Sequence, residues 1–519
     1  MQNTLTLRAP SDVVSQHVSR CVVARTAAML WLAAAFAAAD VGAVSLLPTT
    51  VADRLNASSM PKSALGVAVV RVSDGKTLWS HNANVAMQPA STLKVLTSIV
   101  ALDTLTPPYR GRAELRSVGA VVDGVHEGTL FLKGFASPDF DWQALQAMLV
   151  TLKHKGVHEI RGDMILDRSF FNPLRPDLGV PPFDESPEFR YNVIPDALML
   201  NSNLQQLEIT SSDDAFKITP TPALDRVSIV SDMTLVDQPC ADWEDIWQIP
   251  RVEKNESGDI RVTLLGYFPK NCPITTSISV LDRVDFADRL FRSLWSGLGG
   301  RFTGTVRDGV MPDSAKLIAE HQSRTLAEIN RDINKRSDNP MTRMMFFTLG
   351  TDLKSAVAES TQTSAARADS VIRAWLAARR IDSKGLVLDN GSGLSRSERI
   401  MPITLAQVLR EARQSMWAPE FLMSLPIVGF DGAMKKRLVD SPAVGRARFK
   451  TGYIRNVVTV AGYIADARGE EYAVVAMLNH ENVKGRDGKV ILDEVLDWVS
   501  KTDMRKAVRH DRVRVRKLR

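Results

Sequence analysis

Cysteine, histidine and aromatic side chains are scarce in this chain of 519 residues: three cysteines, eight histidines and an aromatic share of 6%. Each shortage narrows the function. His154 and His158 stand four apart, but "HKGVH" carries a glycine between them and no carboxylate at helical spacing, so neither a metal site nor any other cofactor is expected. So few aromatics argue against a surface built to stack sugars or bases. A run of about 20 apolar residues, the length of a membrane-spanning helix, is missing as well. The N-terminal candidate, "TAAMLWLAAAFAAA", has fourteen uncharged residues from Thr26 to Ala39. Positive charge is lacking where a nucleic-acid surface would need it. The net charge of +6 sits in residues 504–519, which alone carry +7; residues 1–43 add +1, so the rest of the chain is at −2 and no nucleic-acid partner is expected.

What is present describes an exported globular protein. With 45% hydrophobic and 24% charged residues over 519 positions, two or three domains are expected. Arg20 and Arg25 precede the apolar run, and small residues follow it, with Val41-Gly42-Ala43 as a cleavage site. This is the pattern of a secretory signal peptide over 1–43, leading to the periplasm; a buried alanine-rich helix and an uncleaved anchor are the alternatives. Cys21 lies ahead of the apolar run, badly placed for a lipid anchor. Beyond the leader remain Cys240 and Cys272, an even pair in an oxidising compartment, which favours a disulfide over two buried thiols. The tail "MRKAVRHDRVRVRKLR" suits peripheral contact with anionic lipid or cell-wall polymer, or else a solvated end.

Along the chain, "SALGVAVVRV", "SDG" and "KTLWS" read as a β-hairpin turning at Ser73-Asp74-Gly75. A mostly buried helix follows, with Leu93, Leu96 and Val100 beside Val95, Ile99 and Leu102. From 105 to 317, short alternating runs such as "GTLFLKG" and "DMILDRS" are broken by Gly, Pro, Asp and Asn. This is a β-rich insert with a few helices, one of them "WQALQAMLVTLKHKG", ended by Gly156. Helices return from 318. Then come the strands "RARFKTGYI", "VVTVAGYIADA" and "EYAVVAMLNHE" and a last helix, "ILDEVLDWVSK". The economical fold class is α+β. Residues 44–104 and 318–503 would form one domain, its five-stranded antiparallel sheet combining the hairpin with the three late strands under flanking helices. Residues 105–317 would form one or two β-rich insert domains, and 504–519 a basic tail.

The chemistry concentrates in three short motifs. "QPASTLKVLTSIV" holds Ser91 and Lys94, three apart and on one helix face. A serine hydroxyl attacks only when a base accepts its proton, and Lys94 is a base only if burial or nearby positive charge keeps its amine neutral. Lys450 in "RFKTGYI" supplies such a charge, and Gly452 leaves room for a substrate backbone. In "KRSDNPM", Ser337 is placed to relay a proton and Asn339 to bond a substrate amide.

Taken in order, S-x-x-K, S-D-N and K-T-G resemble the signature of serine β-lactamases and penicillin-binding proteins. Ser91 to Ser337 spans 246 residues and Ser337 to Lys450 spans 113. The large first interval, with "PASTLKVLTS", "LDNGSGLSR" and "LPIVGFDG", is similar to the class C low-molecular-mass penicillin-binding proteins over roughly residues 60–500. The resemblance implies a β-lactamase/transpeptidase-like fold and a serine D-Ala-D-Ala carboxypeptidase and endopeptidase acting on peptidoglycan stem peptides, acylated by β-lactam antibiotics. It implies Ser91 as nucleophile, Lys94 as base, Ser337 and Asn339 lining the site, Lys450 assisting proton movement or holding the terminal carboxylate, and Thr451 binding that carboxylate too. The N–H groups of Ser91 and Tyr453 would form the oxyanion hole, with Gly452 between Thr451 and Tyr453 on the substrate strand. Asp184, Phe189 and Arg396 fall where the family contacts a diaminopimelate side chain. Arg455 stands where a neutral polar contact is expected, and Asp389 reads as turn chemistry.

Three other functions remain. A non-catalytic peptidoglycan- or penicillin-binding scaffold has no need of all five polar residues. A broader serine esterase or peptidase fits the same motifs. A β-lactamase is disfavoured by the insert.

Overall fold

The computed structural model describes residues 47–351 and 361–507. The leader expected over 1–43 and all but the start of the basic tail lie outside the described residues. Among the described residues, no helix is long and apolar enough to cross a membrane.

Two distant stretches of chain build one sheet. The hairpin strands β1 (Leu65–Arg71) and β2 (Thr77–His81) join β3 (Arg448–Ile454), β4 (Val457–Ala465) and β5 (Glu471–Asn479) in the order β3-β4-β5-β1-β2, all antiparallel. This is the expected five-stranded sheet. β1, β4 and β5 are apolar at almost every position because both faces are covered. Side chains alternate across the sheet. Ala68, Val70, Ala473 and Val475 enter a core under helices Lys94–Leu105, Asn339–Leu349 and Pro402–Gln414. Val67, Val69, Val474 and Ala476 enter a second core under Thr49–Ala57 and Gly485–Lys501.

The insert holds a third core and three sheets. Its long hairpin, Arg112–Val122 with Val125–Phe135, turns at Asp123-Gly124, both with positive φ. Helix Trp142–His154 ends before Gly156, whose φ is 87°. The strand Lys316–Gln322 pairs with Arg112–Val122, so the insert's sheet extends past 317. The helical layer resumes at Leu326, where Thr325 and Glu328 form a capping box that fixes the start of helix Leu326–Arg336. Cys240 and Cys272 are disulfide-bonded, with their Cα atoms 5.3 Å apart.

Candidate active site

Ser91 sits in a 3-10 turn, Ala90–Leu93, that runs into helix Lys94–Leu105. It precedes the α-helix and does not occupy its first turn. Thr92 explains the tightening, since its N–H and its hydroxyl both donate to the Pro89 carbonyl. Ala90 carries a φ of 44°, a left-handed conformation costing about 1 kcal/mol in a residue with a side chain. Two glycines hold it there. A Cβ on Gly452 would lie 2.8 Å from the Ser91 nitrogen, and one on Gly393 would overlap the Ala90 carbonyl. The Ser91 turn is thus gripped between strand β3 and the loop 390–394.

Lys94 is fully buried. Its Nζ donates to Asn339 Oδ1 at 2.6 Å and to the Ser392 carbonyl at 2.5 Å, and lies 3.0 Å from Ser91 Oγ. The first two partners are acceptors only; Asn339 turns its Nδ2 to the Tyr191 carbonyl at 3.1 Å. A neutral amine has two N–H groups for those carbonyls and one lone pair left for the Ser91 hydroxyl. Burial and then the nearby Lys450 push the Lys94 amine well below its ordinary pKa.

Helices Leu326–Arg336 and Asn339–Leu349 meet at Ser337, which adopts a φ of 62°. Here the chain breaks and restarts. Pro340 has no N–H to extend the first helix, and Asp338 caps the second by accepting from the Met341 N–H at 2.8 Å. The break turns the Ser337 hydroxyl to Lys450, whose Nζ donates to it at 2.9 Å and to the Thr451 carbonyl at 2.7 Å. Burial lowers Lys450 to a pKa of about 7. Ser91, Lys94 and Asn339 thus form one hydrogen-bonded group and Ser337 and Lys450 another, close enough for the charge of Lys450 to act on Lys94.

A model of the D-Ala-D-Ala carboxypeptidase 3 (S13) family matches residues 47–499. The chain belongs to the S13 family. The D-alanyl-D-alanine carboxypeptidase DacB of Haemophilus influenzae is 25% identical over 80% of this chain and 85% of its own length. A D-alanyl-D-alanine carboxypeptidase of an Actinomadura species is 26% identical over 78% and 76%. The crystal structure of penicillin binding protein 4 (dacB) from H. influenzae superposes with a TM-score of 0.69 at 24% identity, covering 90% of this chain and 99% of that one. A second structure of that protein, with a β-lactam bound, gives the same score at 23% identity over 88% and 100%. The chain is a serine-type D-Ala-D-Ala carboxypeptidase, a hydrolase, with the penicillin-binding-protein fold.

Around this S13 centre stand residues that motif reading missed. Glu398 is wholly buried and accepts from the backbone N–H groups of Asp389, Asn390, Gly391 and Gly393, which fixes the loop that carries the Ser392 carbonyl to Lys94. Asp389 belongs to that turn. Arg190 grips Asp338 through Nε and Nη2 at 3.0 and 2.8 Å, tying the insert to the Ser337 break. The expected side-chain subsite divides. Asp184 accepts from Tyr191 Oη and Asn192 Nδ2, both at 2.8 Å, and so braces the segment that contacts Asn339. Phe189 packs beside Tyr191, Trp243 and Trp247, against the insert's core. Arg396 is exposed, its guanidinium 4.7 Å from the Phe183 ring and bonded to the Arg455 carbonyl. Arg455 in turn reaches Glu185 at 3.4 Å. Tyr453 is 57% exposed, its ring near Lys489. Among the described residues, no group of three or more His, Cys, Asp and Glu side chains is arranged to hold a metal ion.

Proposed function

We propose that Ser91 is the acylated nucleophile and Lys94 its general base. The reading rests on one observation: Lys94 spends two bonds on pure acceptors and meets Ser91 Oγ with its third position. Lys94 takes the Ser91 proton as Oγ attacks the carbonyl of the penultimate D-Ala in a peptidoglycan stem peptide. The C–N bond to the terminal D-Ala breaks as its nitrogen takes a proton relayed through Ser337. Water then cleaves the ester and restores Ser91. Asn339 orients the substrate amide, and Lys450 with Thr451 holds the terminal carboxylate. β3 is an edge strand whose outer side is bridged at its start, by Ile427 to Arg448, so a substrate backbone adds further along, beside Gly452, while the N–H groups of Ser91 and Tyr453 receive the oxyanion.

The same centre acts as an endopeptidase when the leaving amine belongs to a second, crosslinked stem peptide. β-Lactams acylate Ser91. The leader over 1–43 delivers the protein to the periplasm, the tail contacts anionic envelope polymers, and the insert over 105–317 folds as its own domain. Arg396 remains the candidate for a substrate side-chain carboxylate; Asp184 and Phe189 shape the segment beside it.

Fluorescent penicillin labelling of wild type and Ser91→Ala tests the assignment. Covalent label on wild type alone is expected, and equal labelling of both proteins overturns it. Incubation with crosslinked dimers tests the endopeptidase activity: release of D-Ala from pentapeptide monomers with no dimer cleavage removes it.

A further inference from the structure

A cavity of about 680 Å³ lies beside the catalytic cluster, between the insert and the loop carrying Leu394, Ser395 and Arg396. It has a built cation at its wall. Arg343 is 5% exposed, yet its Nε has no hydrogen-bond partner and its Nη2 makes one long bond of 3.3 Å to the Leu394 carbonyl. A buried guanidinium left so open is costly unless a ligand satisfies it. The other deep cations of the cavity are already neutralised. Arg175 is held by Asp177 and Asp282 at 2.9 and 3.0 Å, and Arg283 by Asp196 at 2.6 Å. Glu398 and Asp389 are the acids nearest in charge to Arg343, but neither bonds it. Glu398 is consumed by four backbone N–H groups, and Asp389 is exposed.

The distance to the reaction centre selects the occupant. Gly393 presses on the Ser91 turn, while Leu394, whose carbonyl Arg343 bonds, and Arg396, three positions on, line the cavity, so at most about 10 Å of chain separates them. A stem peptide with its penultimate D-Ala at Ser91 places the residue two positions upstream at about that reach. That residue in a stem peptide is a γ-linked glutamate with a free α-carboxylate.

We propose that this cavity receives the upstream part of the stem peptide and that Arg343 binds the α-carboxylate of its γ-linked glutamate. The site rests on the reading of Ser91 as nucleophile only for the register of the peptide. Prolines 173, 176, 181 and 182 with Phe171 and Phe347 give it rigid apolar walls for the peptide's small side chains.

Calorimetric titration of full-length Ser91→Ala with two probes tests it: a stem pentapeptide with the free glutamate carboxylate, and the same peptide with that carboxylate amidated. The free form is expected to bind at least 10-fold tighter, the worth of a charge-assisted pair, and Arg343→Gln in the same background is expected to bring the ratio within twofold. A ratio near one in Ser91→Ala, or a ratio that survives Arg343→Gln, overturns the site. If the glutamine variant loses its cooperative thermal transition, Arg343→Lys replaces it, and there an unreduced ratio overturns the site. No acyl-enzyme forms in these proteins, so penicillin labelling judges Ser91 and the ratio judges Arg343.

Discussion

At the scale of single residues, the site is a pair of buried lysines with different tasks. In the proposed mechanism Lys94 is neutral to accept a proton, whereas Lys450 is charged to hold a carboxylate. Lys94→Met is expected to slow penicillin acylation at least 1,000-fold while the thermal transition stays cooperative, because the base is lost and a buried amine is removed. Lys450 titrates at about 7 in the fold against an ordinary 10.5. Its charged form is penalised by burial, so the penalty is complete below pH 7 and fades as pH rises from 7 towards 10.5. Lys450→Met is therefore expected to raise the melting temperature by a few degrees at pH 6 and by less at pH 9, read by calorimetry. In wild type the same titration is expected to raise KM for carboxylate-ended peptides above pH 7, while peptides amidated at that end show no such limb. Gly452→Ala sets a methyl against the Ser91 nitrogen, and a loss of about 100-fold in acylation rate is expected from so small a displacement.

At the scale of elements, one loop and one helix break position the chemistry. The loop 389–394 is folded around Glu398, which replaces water for four N–H groups. Glu398→Ala is expected to cost about 3 kcal/mol, measured by chemical denaturation, and to slow acylation, since the Ser392 carbonyl loses its station on Lys94. How much of this could be read in the sequence follows from contact range. The β1–β2 hairpin, the helix after Ser91 and the three late strands declare themselves by local periodicity, and the three motifs by their residue types. The grip of Arg190 on Asp338 joins positions 148 apart, and Glu398 acts through backbone groups that have no side-chain identity. Neither leaves a pattern. "GSGLSR" carried a signal of glycine density, but the carboxylate that needs it stands outside the quoted stretch. The ring contacts of Phe189 are silent for a related reason: an aromatic side chain reads alike in the sequence whether it faces a ligand or Trp243 and Trp247. The short helices Thr49–Ala57 and Pro402–Gln414 escaped because each is recognised by what it covers.

At the scale of the whole molecule, the insert carries its own core and its own crosslink, away from Ser91. In the chain-entropy account, a loop of 32 residues closed by Cys240–Cys272 contributes about 4 kcal/mol. Reduction, or Cys240→Ser with Cys272→Ser, is expected to lower the melting temperature while leaving penicillin labelling at 25 °C intact. Loss of labelling on reduction would tie the bridge to the reaction centre. The sheet has a further consequence for how the enzyme comes into being. Leu65 in β1 pairs with Leu478 in β5, 413 residues later. At about 5–20 residues per second of synthesis, the first strand waits roughly 20–80 s for its neighbour. For most of that interval β3 has not been made, and Ser91 has neither Lys450 nor the strand proposed to receive substrate. The nascent chain is therefore expected to stay inert until β3 has been made and β1 has found β5.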